Sequence, residues 1–372
     1  MKKILFMGNT AWSMYNFRRV IFSRLINLGY VVYIISPFDK KYQKELESIG
    51  CKCLTINIDA KGVNPFVDLK LIIELKKTFS RISPDFCFFY TIKPNIYGSI
   101  VASFLNIPHI AITTGLGYTF FHNDIISLLS KCMYYFSLRK AKQVWFLNED
   151  DKKEFLSHKL IKKGQAYVLK SEGIDLMHFS NDISFIEPGV SFILISRMLW
   201  DKGIGIYVDA ARLLKTKYKN IEFRLLGFVG VDNPSAVPQE KIDQWVSEGV
   251  INYLGHTTDV RPFIAKSSCV VLPSFYGEGV PMCLLEGAAM SKPIITTDSV
   301  GCKDTVENDK TGYLCLPKDV QSLSCAMERI ILMSESDRIK MGKAGRLKME
   351  EEFDIELIVT QYSNILAHYI IN

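Results

Sequence analysis

Short, wholly apolar runs that alternate with helical stretches are the feature that most limits how this chain can fold. In the first half the runs are Lys3–Met7, Val31–Ser36, Cys53–Ile58, Phe86–Tyr90, His109–Thr113, Val144–Leu147 and Ala166–Lys170. Between them lie the helical stretches Ser13–Leu28, Lys41–Ile49, Phe66–Ser80, Asn95–Leu105, Asp124–Arg139 and Asp150–His158. A strand that is apolar on both sides must be covered on both faces, and its alternation with helices implies a parallel sheet between two helical layers. The pattern lapses at Ser180–Gly189, which holds Pro188 and reads as a linker. It restarts with Phe192–Ser196, Glu222–Leu226, Ile251–Leu254, Val270–Leu272, Ile294–Thr297 and Tyr313–Leu316, and closes with a long helical tail from about Ser334. The expectation is an α/β chain of two doubly wound parallel-sheet domains facing across a cleft. In such sheets ligands sit beyond the carboxyl ends of the strands.

A length of 372 residues suits two domains, and 48% hydrophobic content lets each bury a core. The nine cysteines show no paired spacing except Cys51-Lys52-Cys53, and Cys87, Cys269 and Cys283 sit in apolar runs. Reduced, buried thiols of a cytoplasmic protein are expected, not a disulfide frame or a zinc site. The opening MKKILFMGNT mimics a signal peptide, but its apolar run spans only Ile4 to Met7 and a glycine turn follows, so it reads as a first strand. No run of about 18 apolar residues suggests a membrane span. Charge is uneven: residues 1–175 hold 25 Lys and Arg against 14 Asp and Glu, whereas 176–372 hold 20 against 25. A basic first half suits an anionic membrane surface or an anionic acceptor, as well as an ordinary solvated surface. Nucleic acid is not expected, since there is no zinc-finger spacing and no RNA-binding aromatic signature.

The stretch Ser274–Met290, SFYGEGVPMCLLEGAAM, carries the most chemistry. The run Cys269–Leu272 ahead of it reads as a buried strand stopped by Pro273, and Cys283–Met290 as a helix. Glu278 then lies in the loop and Glu286 about two turns into the helix. Amides that open such a helix are unpaired and bind anions, while the carboxylates accept hydrogen bonds from hydroxyls. Phosphate on amides and hydroxyls on carboxylates together describe a nucleotide-sugar pocket; a solvated helix cap is the plainer alternative. Upstream, Ser196-Arg197-Met198-Leu199-Trp200-Asp201-Lys202-Gly203 sets two cations five apart at a strand end, a natural diphosphate clamp. Leu226-Gly227-Phe228 and Leu254-Gly255-His256 are strand ends able to lay backbone against a flat base, with His256 read as a loop surface residue.

The first half offers loops of its own. Gly8-Asn9-Thr10-Ala11-Trp12-Ser13 is a turn feeding a helix without the GxGxxG spacing, so a dinucleotide is not expected. Gly8 allows close backbone approach or simply makes the turn, and Arg18 and Arg19 follow in the helix. Lys93, held before Pro94, either points a charge into the cleft or is solvated. Thr113-Thr114-Gly115-Leu116-Gly117-Tyr118 can turn amides toward an anion, or serve as a plain loop.

Taken together, these residues resemble the retaining glycosyltransferases of family four. The E-x7-E pattern stands as Glu278-GVPMCLL-Glu286, the Arg and Lys pair as Arg197 and Lys202, and an NGVD-like turn as Ser171-Glu172-Gly173-Ile174-Asp175. Leu254-Gly255 with Asp259-Val260 resembles the LG and DV element. Val231–Ala236 (VDNPSA) and TTGLGY are most similar to bacterial transferases acting on polyprenyl-diphosphate-linked sugars, in particular the α-1,3-N-acetylgalactosaminyltransferases. Many members carry His where this chain has Ile92, so the resemblance implies that its role is either absent here or taken over, with Lys93 the candidate.

The resemblance implies the GT-B fold, two facing Rossmann-like domains: residues 1–180 for the acceptor, 190–355 for the nucleotide sugar, and a helix over 356–372 packing back on the first. It implies transfer from a UDP-sugar, best GalNAc, to an undecaprenyl-diphosphate-linked sugar with retention, and no cofactor or metal. Arg197 and Lys202 would neutralise the diphosphate and Glu278 hold the sugar. Donor contacts would come from Glu286, Gly279, Val280, Pro281, Met282, Gly227, Gly255, Gly8 and Lys93. Acceptor contacts would come from Trp12, Arg18, Thr114, Gly115, Gly117 and Tyr118. A UDP-sugar epimerase of the same fold and a silent sugar-nucleotide-binding partner are the alternatives. Finally, Phe120–Lys142 interleaves apolar residues with Lys131, Arg139, Lys140 and Lys142, which fits either a helix lying on the inner face of the inner membrane or a core helix.

Overall fold

The computed structural model describes residues 1–58, 64–116, 120, 125–180 and 189–371. The strands are β1 Lys3–Met7, β2 Val31–Ser36, β3 Lys52–Thr55, β4 Phe86–Tyr90, β5 His109–Thr113, β6 Gln143–Phe146 and β7 Ala166–Val168. A second set follows: β8 Val190–Ile195, β9 Ile221–Leu226, β10 Asn252–Tyr253, β11 Cys269–Leu272, β12 Ile294–Thr297 and β13 Gly312–Cys315. They form two all-parallel sheets, ordered β3-β2-β1-β4-β5-β6-β7 and β10-β9-β8-β11-β12-β13. Every residue of β4, β5, β11 and β12 is buried, which is why these strands read as unbroken apolar runs.

The chain divides into two compact units, Met1–Gly173 with Ile355–Asn372, and Ile174–Asp354. The division falls at Gly173–Ile174, ahead of the Ser180–Gly189 stretch, of which 181–188 lie outside the described residues. In the first unit an aromatic stack of Phe6, Phe22, Phe88, Trp145 and Tyr362 ties β1, β4 and β6 to the helix Ile355–Leu366. Tyr362 is fully buried there, and its hydroxyl is 2.5 Å from that of Tyr90.

Two elements depart from the sequence expectation. The helical tail is not continuous: Glu335–Glu352 ends at Phe353, and a new helix starts at Ile355. The interruption is a turn at Phe353 and a single bridge residue, Asp354: Ile174 donates its amide to the Phe353 carbonyl at 2.8 Å and bridges Asp354 in parallel. The stretch expected to be one helix from Asn95 begins instead with a π-helical turn, Pro94–Gly98, before the α-helix Ser99–Phe104. Within that turn Asn95 Nδ2 donates to the Ile112 carbonyl at 3.0 Å, so the wide turn is pinned to the end of β5. The nine cysteines are free thiols, as expected, though Cys132 and Cys325 are exposed. No helix among the described residues is long and apolar enough to cross a membrane.

Candidate active site

In a doubly wound sheet the strand order reverses at one point, and the two loops there splay apart to leave a crevice. In the second sheet that point lies between β8 and β11. The loops leaving these two strands are Ser196–Gly203 and Pro273–Pro281, the segments that carry Arg197, Lys202 and Glu278. Their placement follows from strand order alone.

Local chemistry brings the loops together. Gly203 adopts φ +76°, and a Cβ there would lie 2.1 Å from the Pro273 carbonyl oxygen, so only glycine lets the β8 loop approach the end of β11. The neighbouring strand end has the same need. Gly227 sits at φ +152°, and a Cβ would lie 1.7 Å from the Ser196 oxygen. The segment Val231–Ala236 braces the loop from outside: Trp200 donates its amide to the Ser235 carbonyl at 2.7 Å, and Val237 to that of Met198 at 2.9 Å.

Lys202 closes an ion pair with Glu278, both side chains about one-seventh exposed. Ser274 Oγ donates to Glu278 Oε1 at 2.8 Å, and the Glu278 amide donates to the Val300 carbonyl at 3.3 Å. Behind the loop, Ser299 Oγ donates to the Ser274 carbonyl at 3.1 Å, joined there by Thr297 Oγ1. Gly301, at φ +76°, passes so close that a Cβ would meet the Gly279 oxygen at 2.3 Å. Ser274, Thr297, Ser299 and Gly301 are supports that sequence reasoning missed. Only Gly301, a lone glycine shortly after a strand, left a trace in the sequence.

The helix Met282–Ala289 follows Pro281. Gly279, Val280 and Pro281 are buried, and the amides of Met282 and Cys283 precede the first intrahelical acceptor, the Pro281 carbonyl bound by Leu284 at 3.1 Å. One turn on, Glu286 is half-buried, and desolvation pushes its carboxyl up to about 7, with the charge of Asp259 adding to the rise. Asp259 is itself gripped by Arg261 through two bonds of 2.8 Å. The thiol of half-buried Cys283, beside Glu286 in the same helix, is raised by burial first. Lys202 and Glu278 are thus in contact, and Glu286 stands in the helix that follows their loop. Arg197 is exposed at the same strand end, with no ion-pair partner among the described residues. Gly227 donates its amide to the Gly255 carbonyl at 2.8 Å, and beside them Phe228 and His256 form an exposed edge-to-face pair with ring centres 5.5 Å apart. Gly255, at φ +74°, has open space where a Cβ would stand.

The first unit changes several expectations. Its strand order reverses between β1 and β4, where Gly8 and the Thr91–Asn95 loop lie. Gly8 is buried, with its amide donated to the Ile35 carbonyl at 3.1 Å. Trp12 is exposed and packs edge-on against Phe17. Thr114 and Gly115 are half-buried at the end of β5, whereas Gly117 and Tyr118 lie outside the described residues. Arg18 is not an acceptor contact: it is 3% exposed, pairs with buried Glu172 and stacks 3.7 Å over the Tyr90 ring. A desolvated guanidinium needs a carboxylate partner, and the core supplies one. Lys93 is likewise engaged, by Asp68 at 2.8 Å from the helix Pro65–Ile82, while Ile92 packs against the hydrophobic core.

Comparison with known proteins decides the family. Residues 3–148 match the family described as glycosyl transferase 4-like, and residues 189–332 match glycosyl transferases group 1. The chain belongs to the family 4-like glycosyltransferases. Over the whole of both sequences this glycosyltransferase is 28% identical to the N,N'-diacetylbacillosaminyl-diphospho-undecaprenol alpha-1,3-N-acetylgalactosaminyltransferase of Campylobacter jejuni. It is 23% identical, over 85% of both, to the capsular polysaccharide biosynthesis glycosyltransferase CapM of Staphylococcus aureus. Among solved structures it resembles a glycosyltransferase from Rickettsia africae, with TM-score 0.81, 21% identity and 100% and 99% of the two chains covered. It also resembles Anabaena Alr3699/HepE in complex with UDP-glucose, with TM-score 0.81, 17% identity and 99% and 100% covered. The fold is of the GT-B class, built of two Rossmann-like parallel-sheet domains.

Proposed function

We propose that this glycosyltransferase moves a sugar, GalNAc first among candidates and another HexNAc or Gal next, from a UDP-sugar to an undecaprenyl-diphosphate-linked sugar. The transfer retains anomeric configuration and serves assembly of a bacterial O-antigen or related surface polysaccharide. The observation that carries this reading is the Lys202–Glu278 ion pair at the reversal point of the second sheet, with Glu286 in the helix that follows the Glu278 loop. Full-length similarity to the Campylobacter enzyme supports the lipid-linked acceptor and the GalNAc donor.

Each group has a chemical task. When the glycosidic bond breaks, negative charge gathers on the leaving diphosphate. Arg197 and Lys202, with the Met282 and Cys283 amides, oppose that charge, and such stabilisation is usually the largest catalytic contribution. The two cations supply what a divalent metal supplies elsewhere, so transfer proceeds without added metal. Glu286 accepts from the ribose hydroxyls and Glu278 from hydroxyls of the donor sugar, while Gly227 and Gly255 present flat backbone to the base. The departing phosphate oxygen takes the acceptor proton on the same face. The first unit receives the acceptor, with Trp12, Thr114 and Gly115 near its strand ends and Gly8 left to the donor, and works peripherally on the cytoplasmic face of the inner membrane. Nucleic acid has no part in it.

The test is a panel of UDP-sugars with a short-chain polyprenyl-diphosphate HexNAc acceptor, read by mass spectrometry, with product anomeric configuration read by NMR. One UDP-sugar extending the acceptor with retention is expected. Conversion of UDP-sugar without any acceptor would instead indicate an epimerase, and no turnover of any kind a silent binding protein.

A further inference from the structure

His109 opens β5 at the amino end of the first sheet, the end opposite Thr114 and Gly115. The chain reaches it from the helix Ser99–Phe104 through a tight turn. Asn106 takes φ +55° there, a conformation that a short amide side chain tolerates, and Ile107 donates its amide to the Ala102 carbonyl at 2.8 Å. The next strand arrives at the same place. Lys142, just ahead of β6, donates its amide to the His109 carbonyl at 2.9 Å. Gln165 Nε2 fixes the segment before it by donating to the Leu138 and Ala141 carbonyls at 3.1 and 2.8 Å. The turn, this segment and the π-helical turn Ala367–Ile371 border a cavity of about 430 Å³, to which Ser103, Asn106, His109, Lys140, Lys142 and Tyr369 contribute. That volume suits a small organic molecule and exceeds what a bare inorganic ion fills.

The lining is one-sided in charge and short of partners. No acid contributes to it, and Lys140 and Lys142 are exposed with no carboxylate partner among the described residues. His109 is 1% exposed, and its Nδ1 lies 3.0 Å from the Ile107 carbonyl. A carbonyl only accepts, so Nδ1 carries the proton and Nε2 keeps a bare lone pair. Burial, with the Lys142 charge adding to it, pushes the ring's pKa down to about 4 against the pull of the Ile107 bond, so the imidazole is neutral at pH 7. Nε2 and the Ser103 hydroxyl are both enclosed without a hydrogen-bond partner. A buried acceptor left unbonded is unusual and asks for a donor.

We propose that this cavity binds a small phosphomonoester that also carries hydroxyl groups, of the sugar-phosphate class. Lys140 and Lys142 meet the phosphate, a hydroxyl donates to His109 Nε2, and the Tyr369 ring takes the apolar side of the sugar. Nε2 is covered by its neighbours, so the hydroxyl engages it only as the long Lys142 side chain turns toward the phosphate. Sulfate, which has no proton to give, leaves His109 unanswered. The five positions of β5 from His109 to Thr114 set this site about 16 Å from the loop assigned to the acceptor, so the ligand joins the reaction neither as donor nor as acceptor.

The experiment is calorimetric titration of the full chain with glucose 6-phosphate and glycerol 3-phosphate, with sodium sulfate and glucose as controls, at pH 7.5 with and without saturating UDP. Saturable binding of a phosphomonoester with a Kd of about 1 mM or tighter is expected, unchanged by UDP and at least about tenfold tighter than sulfate or glucose. Lys140→Gln/Lys142→Gln should weaken it by about tenfold or more, and His109→Phe should reduce it to the level of sulfate. Imidazole nitrogen NMR adds a readout that a merely structural histidine would not move: the His109 Nε2 signal, recognised by its loss in His109→Phe, should shift on titration. Should His109→Phe fail to fold, the lysine variant still decides, because both its positions are exposed. No saturable binding, sulfate bound as tightly, displacement by UDP, or affinity untouched by the lysine variant would overturn the proposal. Transfer plays no part in these readouts, so their outcome is independent of the reaction assigned above.

Discussion

Lys202 and Glu278, 76 positions apart in sequence, form an ion pair where the second sheet reverses its strand order. Each neutralises the other, and the Ser274 hydroxyl donates to the same Glu278 oxygen that Lys202 meets. The two groups proposed to meet the donor's diphosphate and its sugar thus hold each other in place. A pair so enclosed is costly to break from one side, because the remaining charge has little water to turn to.

The first prediction follows from that asymmetry. Lys202→Ala and Glu278→Ala should each lower kcat/KM by about two to three orders of magnitude and lower Tm. The isosteric double variant Lys202→Met/Glu278→Gln should recover Tm while transfer stays lost. Steady-state kinetics and thermal melts read both quantities, and near-normal rates in either single variant would refute the assignment.

A second prediction concerns pH. The Glu286 carboxyl is lifted from 4.5 to about 7 by desolvation and by Asp259. Hydroxyls bond more strongly to the carboxylate than to the neutral acid, so UDP affinity should rise with pH through about 7, with proton release on binding below that value. Stability runs the other way. A folded-state pKa above the unfolded one contributes stability that is fully present below about 4.5 and is lost by the time pH has risen through about 7. Glu286→Gln should therefore melt higher than wild type at pH 8, with the gap closing toward pH 5, and should flatten the pH dependence of UDP binding in calorimetry.

The glycines at the site should separate by contact and not by dihedral angle alone. Gly203 and Gly255 share nearly the same φ, but a Cβ at 203 meets the Pro273 oxygen whereas one at 255 meets nothing. Gly255→Ala should cost about 1 kcal/mol from the left-handed conformation. Gly203→Ala should cost at least about 3 kcal/mol and displace Lys202 as well. Chemical denaturation measures both.

Much of this architecture is legible in the sequence because burial on both faces leaves strands with no polar position. The expected boundaries of β1, β2, β4, β5 and β12 coincide with those observed. The E-x7-E stretch was legible for a related reason: a proline-stopped strand, a glycine-bearing loop and a short helix must set both carboxylates at the sheet's carboxyl end. What stayed hidden depends on partners distant in the chain. Arg18 is claimed by Glu172, 154 positions on, and Lys93 by Asp68, 25 back, pairings that no local pattern announces. The break at Phe353–Asp354 arises because Ile174 pairs with that backbone, and local helix propensity carries no sign of it.

Those buried partners give a fourth prediction. Arg18→Met leaves Glu172 as an unpaired acid in the core and should destabilise the fold by about 3–5 kcal/mol, with UDP affinity unchanged. Arg197→Met, at an exposed position, should do the reverse and weaken UDP binding while leaving the denaturation midpoint within error of wild type.

The central claim is that one nucleotide gathers Arg197, Lys202, Glu278 and Glu286, and a crystal structure of the protein with UDP bound measures it directly. The account predicts the ribose hydroxyls on Glu286, the diphosphate on Arg197 and Lys202, and the Lys202–Glu278 contact opened. A nucleotide seated away from these side chains, or phosphates meeting neither cation, would contradict it.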